Sequence, residues 1–251
     1  MNYLLDTNVW VQLAQKKITC ADLSQNSKGR VVIAPFVIME LMKESVKHAG
    51  KYFENDKRVF ECMASFEVLP LTQPFIYQRL WNPGEVPSAR VVPETYKKLL
   101  QLIVDSTSYT EFLKETKAPG SEWSGVERWD TIHQAELDKE LSFVRKLAEE
   151  DHESIAIGIA KLYPLKGSLA AEDRVENEFS AALEYLRSLV VKVKNGANLP
   201  KNDRGAYVDF QVLFYLADAN TTIVSNEDFS SEISNSPQKD RIIALANFLG
   251  P

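Results

Sequence analysis

Five acidic residues of this chain, at four places, interrupt apolar stretches or end them. Asp6 terminates the run Tyr3-Leu4-Leu5. Glu40 lies inside Phe36-Val37-Ile38-Met39-Glu40-Leu41-Met42, which is otherwise apolar. Asp209 stands one residue before Phe210 and shares a helical face with Leu213. Glu227 and Asp228 follow the apolar run that ends at Ser225. Each has an ordinary alternative. Asp6 can cap the following helix. Glu40 can pair with Lys43 or Lys47 on a solvated face. Asp209 can sit at a helix N-terminus because the dipole favours it, and Glu227-Asp228 can be turn residues. Together they suggest a cluster. Packed carboxylates repel one another, and burial penalises their charge. A divalent cation relieves both penalties, and an oxygen-only donor set favours Mg2+ or Mn2+ over zinc. Such a cluster suits phosphodiester hydrolysis, which needs a neutralised phosphate and an activated water. The candidate metal ligands are then Asp6, Glu40, Asp209 and Glu227. Either Glu227 or Asp228 would orient the attacking water. Thr7, Asn8 and Ser225 are candidate hydrogen-bonding partners around the acids. This chemistry needs no histidine, and His48, His133 and His152 are scattered along the chain.

The elements that must position these acids are partly legible. Tyr3-Leu4-Leu5, Val31-Val32-Ile33-Ala34 and Thr222-Ile223-Val224-Ser225 read as buried strands. A helix is expected over 9–17. Another is expected over 36–49, where Pro35 suits the first turn and Met39, Met42 and Val46 recur at helical spacing. Phe210, Leu213, Phe214 and Ala217 fall at i, i+3, i+4 and i+7, the pattern of an amphipathic helix. Strands alternating with helices predict a parallel sheet covered on both faces. In such sheets the crevice lies at the carboxyl ends of the strands. All four acidic places then point to one end of the sheet. Residues 75–200 read mostly as helix.

Composition narrows the class. The 251 residues are 45% hydrophobic and 25% charged, which excludes disordered and low-complexity classes. The net charge is −6, so the overall field repels nucleic acid. One stretch opposes it: Arg187, Lys192, Lys194, Lys201 and Arg204, with Asp203 the acid among them, lead toward Asp209. They could track an RNA backbone or simply form a solvated face. Trp81, Trp123 and Trp129 could stack on bases or pack internally. Cys20 and Cys62 match no zinc spacing and are expected as free thiols of a reducing cytoplasm. The first residues lack a basic start, and no apolar run approaches a membrane span, so a soluble cytoplasmic protein without membrane contact is expected.

At this point the chain resembles the PIN-domain ribonucleases. Leu4-Leu5-Asp6-Thr7-Asn8 looks like the family's opening strand and Asp-Thr/Ser motif. Val32-Ile33-Ala34-Pro35-Phe36-Val37-Ile38-Met39-Glu40-Leu41 is similar to its second strand and Glu-bearing helix. Asp209 begins a helix leading to Ser225-Asn226-Glu227-Asp228-Phe229, similar to the closing Thr/Ser-x-Asp motif but one residue short before Phe229. Phe66-Glu67-Val68-Leu69-Pro70-Leu71 resembles an extended segment of many members. The resemblance implies an α/β fold of three layers, α/β/α, with a central, mainly parallel sheet. It would be built from 1–72 and 205–251, with 73–204 a mostly helical insertion. It implies a metal-dependent endoribonuclease, as a toxin of a toxin–antitoxin or defence system or as an RNA-processing enzyme. It allows an antitoxin-like protein partner and a homodimer. Two other readings remain open. One is a catalytically weak PIN-like module that binds RNA or protein. The other is a haloacid-dehalogenase-type phosphatase, which expects Asp-x-Asp where this chain has Asp6-x-Asn8.

Overall fold

The computed structural model describes residues 1–25, 29–48, 50–51, 53–81, 93–119, 121, 123, 138, 142–149, 154–196, 210–225 and 232–250. At its centre are β1 (Asn2–Leu5), β2 (Arg30–Ile33), β3 (Glu67–Val68), β4 (Thr221–Val224) and β5 (Ile242–Ile243). They lie in the order β3-β2-β1-β4-β5, and every neighbouring pair is parallel. Successive side chains of a strand point to opposite faces. Leu4 and Leu5, Val32 and Ile33, and Ile223 and Val224 are all buried, so both faces are covered. That is why each of these strands ends in consecutive apolar residues.

The helices at the carboxyl end of the sheet start where local chemistry starts them. α1 (Thr7–Ala14) begins two residues earlier than expected, because Asp6 is its cap. It stops before Lys17. Lys16 takes a φ of 59°, and the Lys16 and Lys17 amides turn back onto the carbonyls of Leu13 and Gln12. This left-handed termination closes a helix even without glycine. α3 (Pro35–Lys47) has Pro35 in its first turn, as its missing N–H allows. The amphipathic segment near Phe210 is helical over 210–213 and tightens to a 3-10 turn, Phe214–Ala217, ahead of β4.

α2 (Cys20–Ser24) and α4 (Phe53–Met63) are joined by a disulfide between Cys20 and Cys62. The expectation of two free thiols is corrected: the fold brings together two cysteines that lie far apart in sequence.

The described residues of the middle of the chain are mostly helical. They comprise α5 (Thr72–Leu80), α6 (Pro93–Asp105), α7 (Tyr109–Thr116), the helical stretch 142–149, α8 (Ile155–Leu162), α9 (Glu172–Glu178) and α10 (Ser180–Lys194). α6 packs against α3, α4 and β3, and α10 packs against the 3-10 turn. Leu99, Ile103, Leu183 and Leu186 from these helices belong to the same core as Leu4, Val32 and Ile223. α11 (Leu245–Leu249) covers one face of the sheet through Phe248, whose ring lies 4.9 Å from that of Tyr3. Among the described residues no helix is long and apolar enough to cross a membrane.

Candidate active site

The sheet order places β1 between β2 and β4. The chain leaves β1 toward β2 on one side and later returns to β4 on the other, which makes a topological switch point. In open parallel sheets that crevice is where sites form. The register pairs Leu5 with Val224, so the next residues, Asp6 and Ser225, emerge side by side from the carboxyl edge. Asp6 continues the ladder by donating its amide to the Val224 carbonyl at 3.0 Å. The Trp10 indole donates to the Leu5 carbonyl at 3.2 Å and fixes the strand end from inside.

Asp6 is buried, and its two oxygens have different duties. Oδ1 accepts the Thr7 amide at 2.7 Å, which is the helix cap. Oδ2 accepts the Ser225 hydroxyl at 2.9 Å, across the switch point. The helix cap and the cross-strand bond to Ser225 therefore coexist in one carboxylate. Thr7 extends the network, because its hydroxyl donates to Glu40 Oε2 at 2.6 Å. One threonine thus holds both acids, through its amide and its hydroxyl.

Glu40 does not lie on a solvated lysine face. Lys43 and Lys47 instead meet Glu44, each at 3.5 Å. Burial pushes the Glu40 carboxyl up to about 7. The Thr7 hydrogen bond and the Lys43 ammonium work against that rise, while Asp6 and Glu44 add to it. An acid so placed exchanges its proton near neutral pH.

The donor set around the switch point is carboxylate and hydroxyl oxygen, which fits a hard divalent cation such as Mg2+ or Mn2+. Among the described residues no group of three acidic, histidine or cysteine side chains converges tightly enough to hold an ion alone. Asp209, Glu227 and Asp228 lie outside the described residues, as do Lys201, Arg204, Trp129, His133 and His152. Asn8 lines a cleft beside Thr7 and Glu40. Of the basic stretch, Arg187 is paired with Glu176, and Lys192 with Glu232 at 3.1 Å. Trp81 donates its indole to the Tyr163 carbonyl, and Trp123 packs edge-on against Tyr96, so both rings have partners within the chain.

Sequence reasoning missed Glu44, Asn55 and Asp56, which line the same cleft as Glu40. Asn55 and Asp56 follow Phe53 in a charged, amphipathic helix, where polar residues are ordinary. No signal in the sequence marks them. Comparison with protein-family models, with curated proteins and with solved structures finds no match for this chain.

Proposed function

We propose that this chain is a PIN-like, Mg2+- or Mn2+-dependent endoribonuclease. The observation that carries the reading is the Thr7 bridge. Two carboxylates from separate elements, Asp6 and Glu40, are tied to one residue at the topological switch point, with Ser225 on the other side. The parallel sheet order and the opening motif support the same reading.

Asp6 and Glu40 would hold the cation, with Asp209 and Glu227 completing the set. Bound there, a hard cation supplies Lewis-acid neutralisation of phosphate charge and makes water a better nucleophile. The chain's own residues do the positioning. Thr7 and Ser225 hold the Asp6 carboxylate in one orientation, one hydrogen bond to each oxygen. Thr7 orients Glu40 in the same way. Glu227 or Asp228 orients the attacking water. The biological setting proposed is a toxin of a toxin–antitoxin or defence system, held by a small protein partner.

The test is cleavage of a labelled RNA oligonucleotide with Mn2+ or Mg2+. The parent should cut it internally, and chelator should stop the reaction. Asp6→Asn keeps the cap and the shape but weakens the ligand. It should lower the rate by more than about 100-fold, beyond the range typical of supporting residues. Cleavage that survives Asp6→Asn would remove this site. RNA bound but never cut would favour the catalytically weak module.

A further inference from the structure

The Cys20–Cys62 bridge joins two elements that are held to the body very differently. α4 buries Phe53, Val59, Phe60, Cys62 and Met63 and packs against α1 and α6. α2 spans five residues, and Leu23 is its buried one. Its capping box is internal. The Thr19 amide donates to the Asp22 carboxylate at 2.7 Å, and the Asp22 amide donates to the Thr19 hydroxyl at 3.2 Å. The Ser24 hydroxyl donates to the Cys20 carbonyl, and the Gln25 amide donates to the Ala21 carbonyl. Among the described residues, all these hydrogen bonds stay within 19–25 and tie α2 to nothing else. A helix much shorter than about 12 residues is marginal in water on its own. Ile18 anchors the chain ahead of α2. Within α2, Leu23 and the bridge are the ties to the body.

The two sulfurs also differ in access. Cys62 is 4% exposed and belongs to the core. Cys20 is half-buried, and its sulfur lies 3.9 Å from the hydroxyl of Ser24, a residue open to solvent. Thiol–disulfide exchange depends on which sulfur an incoming thiolate can reach. We propose that Cys20 is a site of exchange with low-molecular-weight thiols, and that opening the bridge there releases α2 while α4 stays in the core. The incoming thiolate bonds to the Cys20 sulfur. The Cys20–Cys62 bond breaks, and its electron pair leaves on Cys62, which takes a proton from solvent. A second thiolate then attacks the first thiol's own sulfur. Cys20 leaves with the electron pair and is protonated in turn. Two small thiols are oxidised to their dimer, and one protein disulfide is reduced to two thiols. In the open state Cys62 is a buried, inert thiol and Cys20 the reactive one. Along the chain α2 lies between α1, which begins with Thr7, and β2, which leads to α3 and Glu40. The device requires no assumption about the reaction at that site.

The experiment places the full chain in a buffer of reduced and oxidised glutathione, quenches with acid and locates the adduct by peptide mass spectrometry. Cys20 should carry it in at least about tenfold excess over Cys62. Hydrogen exchange is then followed on the oxidised chain, on the chain reduced with dithiothreitol, and on Cys20→Ser, which has no bridge to open. On reduction the amides of 20–25 should exchange at least about tenfold faster than in the oxidised chain, and faster than those of α4. Dilute guanidinium should speed exchange in α4 but not in 20–25, because a local opening exposes little surface. Cys20→Ser should match the reduced chain and ignore the reductant. An adduct on Cys62, on both cysteines equally or on neither would overturn the proposal. So would exchange of 20–25 that reduction leaves unchanged, or that rises together with α4 and with the same dependence on guanidinium. Protection of 20–25 in Cys20→Ser equal to that of the oxidised chain would overturn it as well.

Discussion

At the scale of single residues, Glu40 offers the sharpest measurable consequence. Its ordinary value is 4.5, and in the folded chain burial lifts it to about 7. The folded protein therefore holds this proton more tightly than the unfolded chain does. Stability from this group is fully present below about pH 4.5 and is lost as pH rises toward about 7, after which it levels off. Glu40→Gln removes that dependence. The difference in denaturant midpoint between Glu40→Gln and the parent should shift in the variant's favour across that window and stay constant above it. Thr7→Val provides the control, because it deletes the hydroxyl that holds the Glu40 carboxyl down. It should move the window to higher pH. A flat difference between pH 4.5 and 7 would mean that Glu40 is not buried in this way. A bound divalent cation would oppose the protonated form, so adding Mn2+ should move the window to lower pH.

At the scale of elements, the sequence was informative where a pattern spans several residues. β1, β2 and β4 are visible because strands buried on both faces carry consecutive apolar residues, Leu4-Leu5, Val31-Val32-Ile33 and Ile223-Val224. Asp6 and Glu40 are visible because they break such runs. Ser225 was legible only as a candidate partner around the acids; that it meets Asp6 follows from β1 and β4 being neighbours in the sheet. β5 is two residues long and has no period to read. Arg241 is hidden for another reason. Its guanidinium donates to the carbonyls of Leu216, Asp218 and Thr221, which hold the entry to β4, and only the folded backbone reveals that. The disulfide was equally hidden, since spacing alone does not say which parts of a chain meet. Cys20–Cys62 closes a loop containing β2 and α3, and therefore Glu40. Closing a loop of separation 42 restricts the unfolded chain by about 4 kcal/mol in the chain-entropy account. Reduction, or Cys62→Ser, should lower unfolding stability by about that amount. Thiol labelling before and after reductant should find two thiols only after it. Two thiols labelled before reductant would show that the sulfurs are not joined. A reducing compartment would open the bridge, so the two states describe the protein in two environments.

At the scale of the whole molecule, the question is whether the described helices of 73–204 form a separate unit or part of the sheet's own core. Their position between two halves of an α/β pattern suggests an insertion. Their packing ties them inward. Leu99 and Ile103 of α6, and Leu183 and Leu186 of α10, are buried in the same core as the strands. Gln238 makes the link polar as well. Its side chain accepts the Ala181 amide and donates to the carbonyls of Glu178 and Leu216, joining the α9–α10 junction to the 3-10 turn before β4. The Ser180 and Ser236 hydroxyls add a tie at 3.0 Å. Elements that share one core lose it together, and such a unit unfolds in one cooperative step. Heating the oxidised chain should therefore give a single transition, with tryptophan fluorescence and far-ultraviolet circular dichroism coinciding and the calorimetric enthalpy equal to the van't Hoff value. A self-contained insertion would instead melt in its own step. Gln238→Leu separates the two cases. It leaves the Ala181 amide and two carbonyls without their partner and should cost about 2–3 kcal/mol. In a shared core that cost lowers the one transition as a whole. In a two-unit chain it would split the transition.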